Sequence, residues 1–161
     1  MKETPDLQKF AADYRALIAS LRTLQLATIG AEGEAEISYA PFLEFENAFY
    51  VYVSTLASHT GNMLRSKQAA VMFIQPEAEA VNLFARQRLV FNCRVEEISR
   101  ENELYSRLLD ALRDRFGEVV GILRSLPDFH LLALTPRQGQ YVAGFGKAFK
   151  IDPGNGELLP F

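Results

Sequence analysis

Short segments of β-strand character follow one another along most of this 161-residue sequence, with only a few helical segments between them. The strand-like runs lie at 23–29, 36–42, 49–53, 69–74, 89–95, 130–134 and 140–151. Strands and helices do not alternate one by one, so the order favours an antiparallel sheet over the parallel sheet of βαβ units. So many strands with so few helices predict a mainly β (α+β) fold, in which the sheet curls into a small barrel flanked by helices.

Four segments of the chain have helical patterns. Thr4-Pro5-Asp6 predicts the start of an N-terminal helix within 1–22, with a hydroxyl cap, a proline at the first helical position and an acid in the first turn. The apolar stripe of this helix consists of Leu7, Phe10, Tyr14, Leu17 and Leu21. A short helix is expected at 58–66. A longer one capped by Ser99 should follow, and after Gly117 another short helix at 118–125.

Proline and glycine divide the remainder of the chain. Pro41 cannot donate to a ladder, so the second strand should lie at a sheet edge or end there. Residues 136–139 predict a turn, and Gly144 and Gly146 in the last strand predict a bulge or a close approach by another surface. We expect one domain over 1–161, ending in a loosely held tail at 152–161.

Composition excludes several classes of protein. A net charge of −3 and a pI near 5.5 do not suit a general nucleic-acid binder. No apolar stretch approaches the roughly 18 residues needed to span a bilayer, and the polar N-terminus does not resemble a secretory signal. Cys93 is the single cysteine, so there is no disulfide or CxxC pair, and its place in an alternating strand predicts a buried residue. A single unpaired cysteine fits a protein of the reducing cytoplasm.

Familiar catalytic motifs are not found in the sequence. With two histidines and one cysteine, a protein-only metal site is not expected. The sequence contains neither a Gly-x-Ser-x-Gly elbow nor a Walker loop, so no motif supports acyl transfer or nucleotide hydrolysis as the activity.

The stretch 52–62 is the first candidate site, because an apolar strand feeds a short helix through small and hydroxyl residues. Ser54 stands at the end of the strand, and His59 and Asn62 lie in the first turns of the helix. Unpaired amides and the helix dipole at such a start suit an anion such as a phosphate or a propionate. The alternative is that the serine is simply a helix cap and His59 a surface residue beside it.

Other candidates lie at strand ends farther along the chain. Arg86 and Arg88 flank the start of a strand, where they could hold a carboxylate or a phosphate or could simply be solvated. Asp128 suits either a ligand role or a local turn bond, and His130 either a ligand role or a satisfied interface or core position. Lys147 adds a possible anion contact beside the paired glycines. Together these residues could bind a planar anion of moderate size.

The sequence resembles the HugZ/HutZ family of haem-utilisation proteins, within the flavin-binding split-barrel superfamily of pyridoxamine-phosphate-oxidase-like proteins. The matching runs are 23–28 with 38–42, the Ser54, Leu56-Ala57, His59 and Asn62 stretch, 83–89, 115–118, Asp128-Phe129 and 144–147. These runs cover nearly the whole chain in order. Each run alone is a weak signal, but together they are specific for the family.

The resemblance implies an antiparallel split β-barrel and a homodimer that holds its ligand in a crevice between subunits. Haem fills this place in the haem-handling members, some of which open the porphyrin with oxygen and a reductant. In the flavin-binding relatives FMN takes it, with its phosphate over the turn that here carries Ser54 and His59. Arg86 matches an arginine near the ligand, and Asp128 matches an acid that helps to fix the axial histidine of the neighbouring subunit.

One feature departs from the family pattern. The haem members carry their iron-ligating histidine on a C-terminal extension, whereas this sequence has no histidine after His130. His130 could take that place only if it faced the crevice. The resemblance therefore leaves open a haem-binding or haem-degrading protein, an FMN-dependent oxidoreductase, and a carrier of either cofactor without turnover.

Overall fold

The structure, a computed structural model, describes residues 6–161. Thr4 and Pro5, the expected start of the first helix, lie outside the described residues. Helix α1 (Leu7–Ser20) is capped by Asp6, whose side chain accepts a hydrogen bond from the Lys9 amide at 3.1 Å. Asp6 is therefore the cap of this helix and not an acid within its first turn.

The apolar stripe expected on α1 is confirmed. Tyr14 and Leu17 are buried, and Leu7, Phe10 and Leu21 pack against the same core. None of the helices within residues 6–161 has the length and apolar character needed to cross a membrane.

The other elements follow α1 along the chain. They are β1 (Thr23–Ile29), β2 (Ala35–Pro41), β3 (Leu43–Phe45), β4 (Ala48–Ser54), α2 (Ser58–Ser66), β5 (Gln68–Ile74), β6 (Arg88–Glu97), α3 (Glu103–Phe116), α4 (Val119–Arg124), β7 (Phe129–Gly144), β8 (Lys147–Ile151) and β9 (Leu158–Pro160). Single-turn 3-10 helices at Glu77–Glu79 and Leu83–Ala85 lie in the loop between β5 and β6.

All strand pairings within the described residues are antiparallel, as the sequence predicts. The strand order is β2-β1-β5-β6-β7-β4-β3, with β8 beside β7 and β9 beside β8. The sheet is curled but not closed, which gives the split barrel. β2 lies at an edge and ends at Pro41, so both expectations for this proline hold.

Two apolar clusters hold the sheet. The inner cluster fills the barrel and contains four phenylalanines, among which the ring of Phe49 contacts those of Phe42, Phe73 and Phe91. The second cluster joins α3 and α4 to the outer side of β4 and β7. Strand β7 serves both, because Leu132 faces the inner cluster and Leu131 faces the second.

The expected turn at 136–139 is wrong, because β7 continues through it. Cys93 pairs with Pro136 and the adjacent Asn92 pairs with Gln138, so Arg137 is the extra residue of a β-bulge. A bulge tolerates the proline, and pairing with β6 keeps the strand continuous. The chain reverses later, at 145–146, where Gly146 has a φ of +66°.

Two further expectations need correction. Ser99 does not cap α3; Asn102 does, accepting from the Leu104 amide at 2.9 Å. The segment 152–161 is not loosely held throughout. Its strand β9 pairs with β8, and Leu158 is buried opposite Ile151 because this face completes the inner cluster.

Candidate functional site

The turn between β4 and α2 is organised by Ser54. Its hydroxyl donates to Oδ2 of Asp128 at 2.6 Å and accepts from the amide of Leu56 at 3.1 Å. Its carbonyl accepts from the Thr60 hydroxyl, also at 2.6 Å. Ser54 is thus not the cap of α2. Ala57 occupies that position, without a side-chain acceptor for the first amides of the helix. The Thr60 amide donates to the Ala57 carbonyl at 3.1 Å, and the amides of Ser58 and His59 keep their capacity to bind an anion.

His59 lies in the first turn of α2 and faces β2. Its Nδ1 is 2.8 Å from the Oγ atom of Ser38. Burial lowers the pKa of the His59 imidazole from its ordinary value, so the ring is neutral near pH 7. The contact with Ser38 fixes the ring and leaves Nε2 for another partner.

The lowered pKa of His59 predicts a loss of stability in acid. The unfolded chain binds a proton at His59 below about pH 6.5, whereas the folded chain resists it, so stability falls as the pH drops below that value. His59→Gln should reduce the drop in the free energy of unfolding between pH 7.5 and 5.5, measured by urea titration. The matched variant His130→Gln serves as the control, and an unchanged drop in His59→Gln would contradict the assignment.

Asn62, which the sequence suggested as a ligand-binding residue, makes its hydrogen bonds within the protein. Its side-chain amide donates to Thr28 at 3.1 Å and to the Glu36 carboxylate, and its oxygen accepts from Arg65 at 3.0 Å. Asn62 is buried, and both of its amide hydrogens are used within the protein. It therefore fixes α2 against β1 and β2 in this structure and has no free donor for a ligand.

The two arginines before β6 are also held by the protein. Nε of Arg86 donates to the carbonyl of Gln75 at 2.8 Å, Nη2 donates to the same oxygen, and Nη1 lies 4.0 Å from Glu77. Nη1 of Arg88 donates to the Arg86 carbonyl at 3.3 Å. Most donors of Arg86 thus shape the loop at 75–87, whereas Arg88 keeps more of its guanidinium free.

His130 and Lys147 lie at opposite ends of the sheet. The Nδ1 atom of His130 contacts the carboxylate of Glu97 at the end of β6 nearest Ser54. The ammonium of Lys147 lies 5.8 Å from the centre of the Phe10 ring, at the Arg88 end. Within residues 6–161, no group of three His, Cys, Asp or Glu side chains is arranged to hold a metal.

The structure therefore divides the candidates into two groups. The turn group contains Ser54, His59, Asp128 and, nearby, His130; the opposite group contains Arg86, Arg88 and Lys147. Between them runs β6, whose nine-residue step from Arg88 to Glu97 spans about 30 Å at ~3.3 Å per residue.

Sequence reasoning did not select Ser38, Glu36 or Glu97 as site residues. Ser38 and Glu36 alternate along β2 with the exposed Ile37 and Tyr39. Because neighbouring strand residues point to opposite faces, this alternation could have indicated that Ser38 and Glu36 share the face that packs against α2. Glu97 and His130 are 33 positions apart in the sequence, and no local sequence pattern indicates that they are in contact.

The model of the pyridoxamine 5'-phosphate oxidase family matches residues 10–143 of this chain. The chain belongs to that family.

Within the family, this chain is similar to HutZ and so belongs to the HugZ/HutZ group. It is 40% identical over 147 residues to a Vibrio cholerae protein named heme oxygenase HutZ, covering 91% of this chain and 80% of the relative. A crystal structure of Vibrio cholerae HutZ, described as a heme storage protein, has a TM-score of 0.78 at 38% identity and covers 84% of this chain and 95% of that one. ChuZ from Campylobacter jejuni has a TM-score of 0.85 at 27% identity, and the match covers 98% of this chain and 65% of that one. The predicted family is confirmed.

Proposed function

We propose that this protein binds haem for haem utilisation, in a crevice that forms between two copies of the chain. The observation that carries the proposal is the 40% identity, over most of the chain, to a protein named heme oxygenase HutZ. The site chemistry supports it, because an uncapped helix start, a neutral histidine and several cations suit a flat anionic ligand.

A second copy is needed to unite the two groups of candidate residues. One ligand cannot touch both ends of β6 within a single subunit, since they are about 30 Å apart. A two-fold axis across the outer face of the sheet would place the Arg88 end of one subunit beside the Ser54 turn of its partner. Haem or FMN between them would then meet residues of both chains.

The outer face of the sheet has the apolar character that such an interface needs. Ile37 and Tyr39 on β2 are 80% and 67% exposed, and Ala27, Ala70 and Met72 continue this surface across β1 and β5. A sheet face of this kind in an isolated chain would leave a large apolar patch in water.

Ile37→Asp should convert the dimer into a monomer, because it places a charge in the proposed apolar interface. Light scattering would show the mass falling to half of the wild-type value, with at least about a tenfold weaker dimer constant. Ile122→Asp, at a 65% exposed position on α4, is the matched control and should stay dimeric. A wild-type protein that is monomeric at all concentrations would exclude the crevice.

In the proposed complex the residues of this chain bind and orient the ligand. The amides of Ser58 and His59 and the His59 Nε2 atom are available to acid groups, and the Ser54–Asp128 pair holds the turn that presents them. His130, whose Nδ1 is held by Glu97, keeps its Nε2 atom as a possible ligand. Bound haem would supply an iron centre able to activate oxygen, given an external reductant.

Absorption spectroscopy tests the proposal. Purified protein mixed with ferric haem should give a Soret band that persists through desalting. Loss of that band on addition of ascorbate in air would identify a haem-degrading enzyme, whereas a stable band would identify a carrier. A protein that retains no haem would overturn the proposed function.

FMN is the second candidate ligand, favoured by the match to the pyridoxamine 5'-phosphate oxidase model over residues 10–143. The uncapped start of α2 suits a phosphate as well as a propionate. A protein that is yellow as purified, with flavin absorption bands and no retention of haem, would favour a flavin-dependent oxidoreductase.

A further inference from the structure

A hollow of about 610 Å³ lies on the outer face of the sheet and is lined by residues of β2, β1, β5, β6 and β7. Its lining includes three alanines, Ala35 on β2, Ala27 on β1 and Ala70 on β5, with Ile29 and Gln68 beside them. A second hollow of about 450 Å³ adjoins it and shares part of the same rim. The rim groups common to both hollows are Asn92, Arg137 and Gln138.

Arg137 reaches this rim because of the bulge in β7. The register places it between Pro136 and Gln138 with no partner of its own on β6. Bulges commonly re-aim a side chain beside a functional site. No ion pair holds the Arg137 guanidinium in the part of the chain from 6 to 161, and its side chain is exposed at the rim.

Other cations near the candidate site use some or most of their donors within the protein, and among the arginines Arg88 uses the fewest. Arg86 and Arg88 donate to carbonyls, Arg65 bonds to Ile29 and Asn62, and Lys147 lies over an aromatic ring. Arg137 therefore has the full donor capacity of its planar fork available for a carboxylate or a phosphate.

We infer that Arg137 binds the acid group of a planar anionic ligand that lies on the alanines of the hollow. This inference rests on the proposed function and names a residue that the resemblance does not supply. The amide side chains of Asn92 and Gln138 stand beside the guanidinium and add donors for the same group. The alanine methyl groups lie on the face that the proposed dimer shares, so a macrocycle or an isoalloxazine would rest on them in the crevice between the two subunits.

The test compares ferric haem with ferric haem dimethyl ester, in which the propionates carry no charge. Wild-type protein should bind ferric haem at least about tenfold more tightly than the ester, because a charge-assisted pair is lost with the ester. Arg137→Gln should lose about tenfold in affinity for ferric haem and should bind the ester as the wild type does. Arg100→Gln, a change at an exposed arginine that does not line the hollow, should keep the wild-type preference.

The outcomes separate the two proposals. If wild-type protein binds no haem, the proposed function is overturned. If it binds haem and Arg137→Gln keeps the full preference over the ester, the role of Arg137 alone is overturned. Arg137→Lys, which keeps the charge without the fork, should retain part of the preference, and unfolding midpoints of all variants should match because the side chain is exposed.

Discussion

Replacing Phe73 with alanine should lower the free energy of unfolding by about 4 kcal/mol. Phe73 is 0% exposed on β5, and its ring centre is 5.0 Å from those of Phe42 and of Phe49. The substitution removes the buried ring and its aromatic contacts, and leaves a cavity between β5 and β4 inside the barrel. Guanidinium chloride unfolding, followed by circular dichroism, measures the change.

Phe84→Ala is the matched control for this prediction. Phe84 is 88% exposed in the loop before β6, so the same chemical change should cost less than about 0.5 kcal/mol. A Phe73→Ala variant that unfolds within about 1 kcal/mol of wild type would contradict the place of this ring at the centre of the core.

Local patterns in the sequence were sufficient to place several elements. The range predicted for β1 and for α2 is the range observed, because strict alternation marks the first and a small polar segment between two apolar runs marks the second. Cys93 is buried as expected, and burial raises the pKa of its thiol to about 12. In each case the signal lies within a few neighbouring residues.

The path of β7 could not be read in this way. Pro136 and Gly139 have turn chemistry, yet the strand continues because β6 pairs with it on both sides of the bulge. Gly139 instead lies against the ring of Phe91, where an added Cβ atom would come within 2.6 Å of it. Glycine at 139 therefore serves close packing between distant strands, a requirement with no local signature.

The candidate site was predictable in its residue types and less so in their partners. Ser54 and Asp128 meet across 74 positions of the chain, and His59 meets Ser38 across 21. Sequence alone could not show that the amide of Asn62 is used inside the protein, nor that Arg86 is held by Gln75, because both depend on the packing of neighbouring strands. The sequence also predicted that Arg137 lies in a turn, whereas in the structure Arg137 is the bulged residue of β7 and lies on the outer face of the sheet.

The role of Asn62 leads to the second prediction with a large effect. Asn62→Ala should cost about 3 kcal/mol of unfolding free energy, because it removes the donor to Thr28 and Glu36 and the acceptor for Arg65 together. Thr28 is buried, so water cannot readily replace the lost donor at its hydroxyl. The change should also loosen α2, which hydrogen exchange of the helix amides would report as faster exchange than in β1.

A double-mutant cycle with Glu36→Ala decides whether the cost arises from this network. If the carboxylate of Glu36 depends on Asn62, the double variant should be more stable than the sum of the two single changes predicts, by about 1 kcal/mol. Asn155→Ala, at an exposed turn position, controls for the general effect of truncating an asparagine. Additive costs in the cycle would show that Asn62 stabilises the protein by packing alone. They would contradict the assignment of its hydrogen bonds as the contacts that hold α2, and with it His59, against β2.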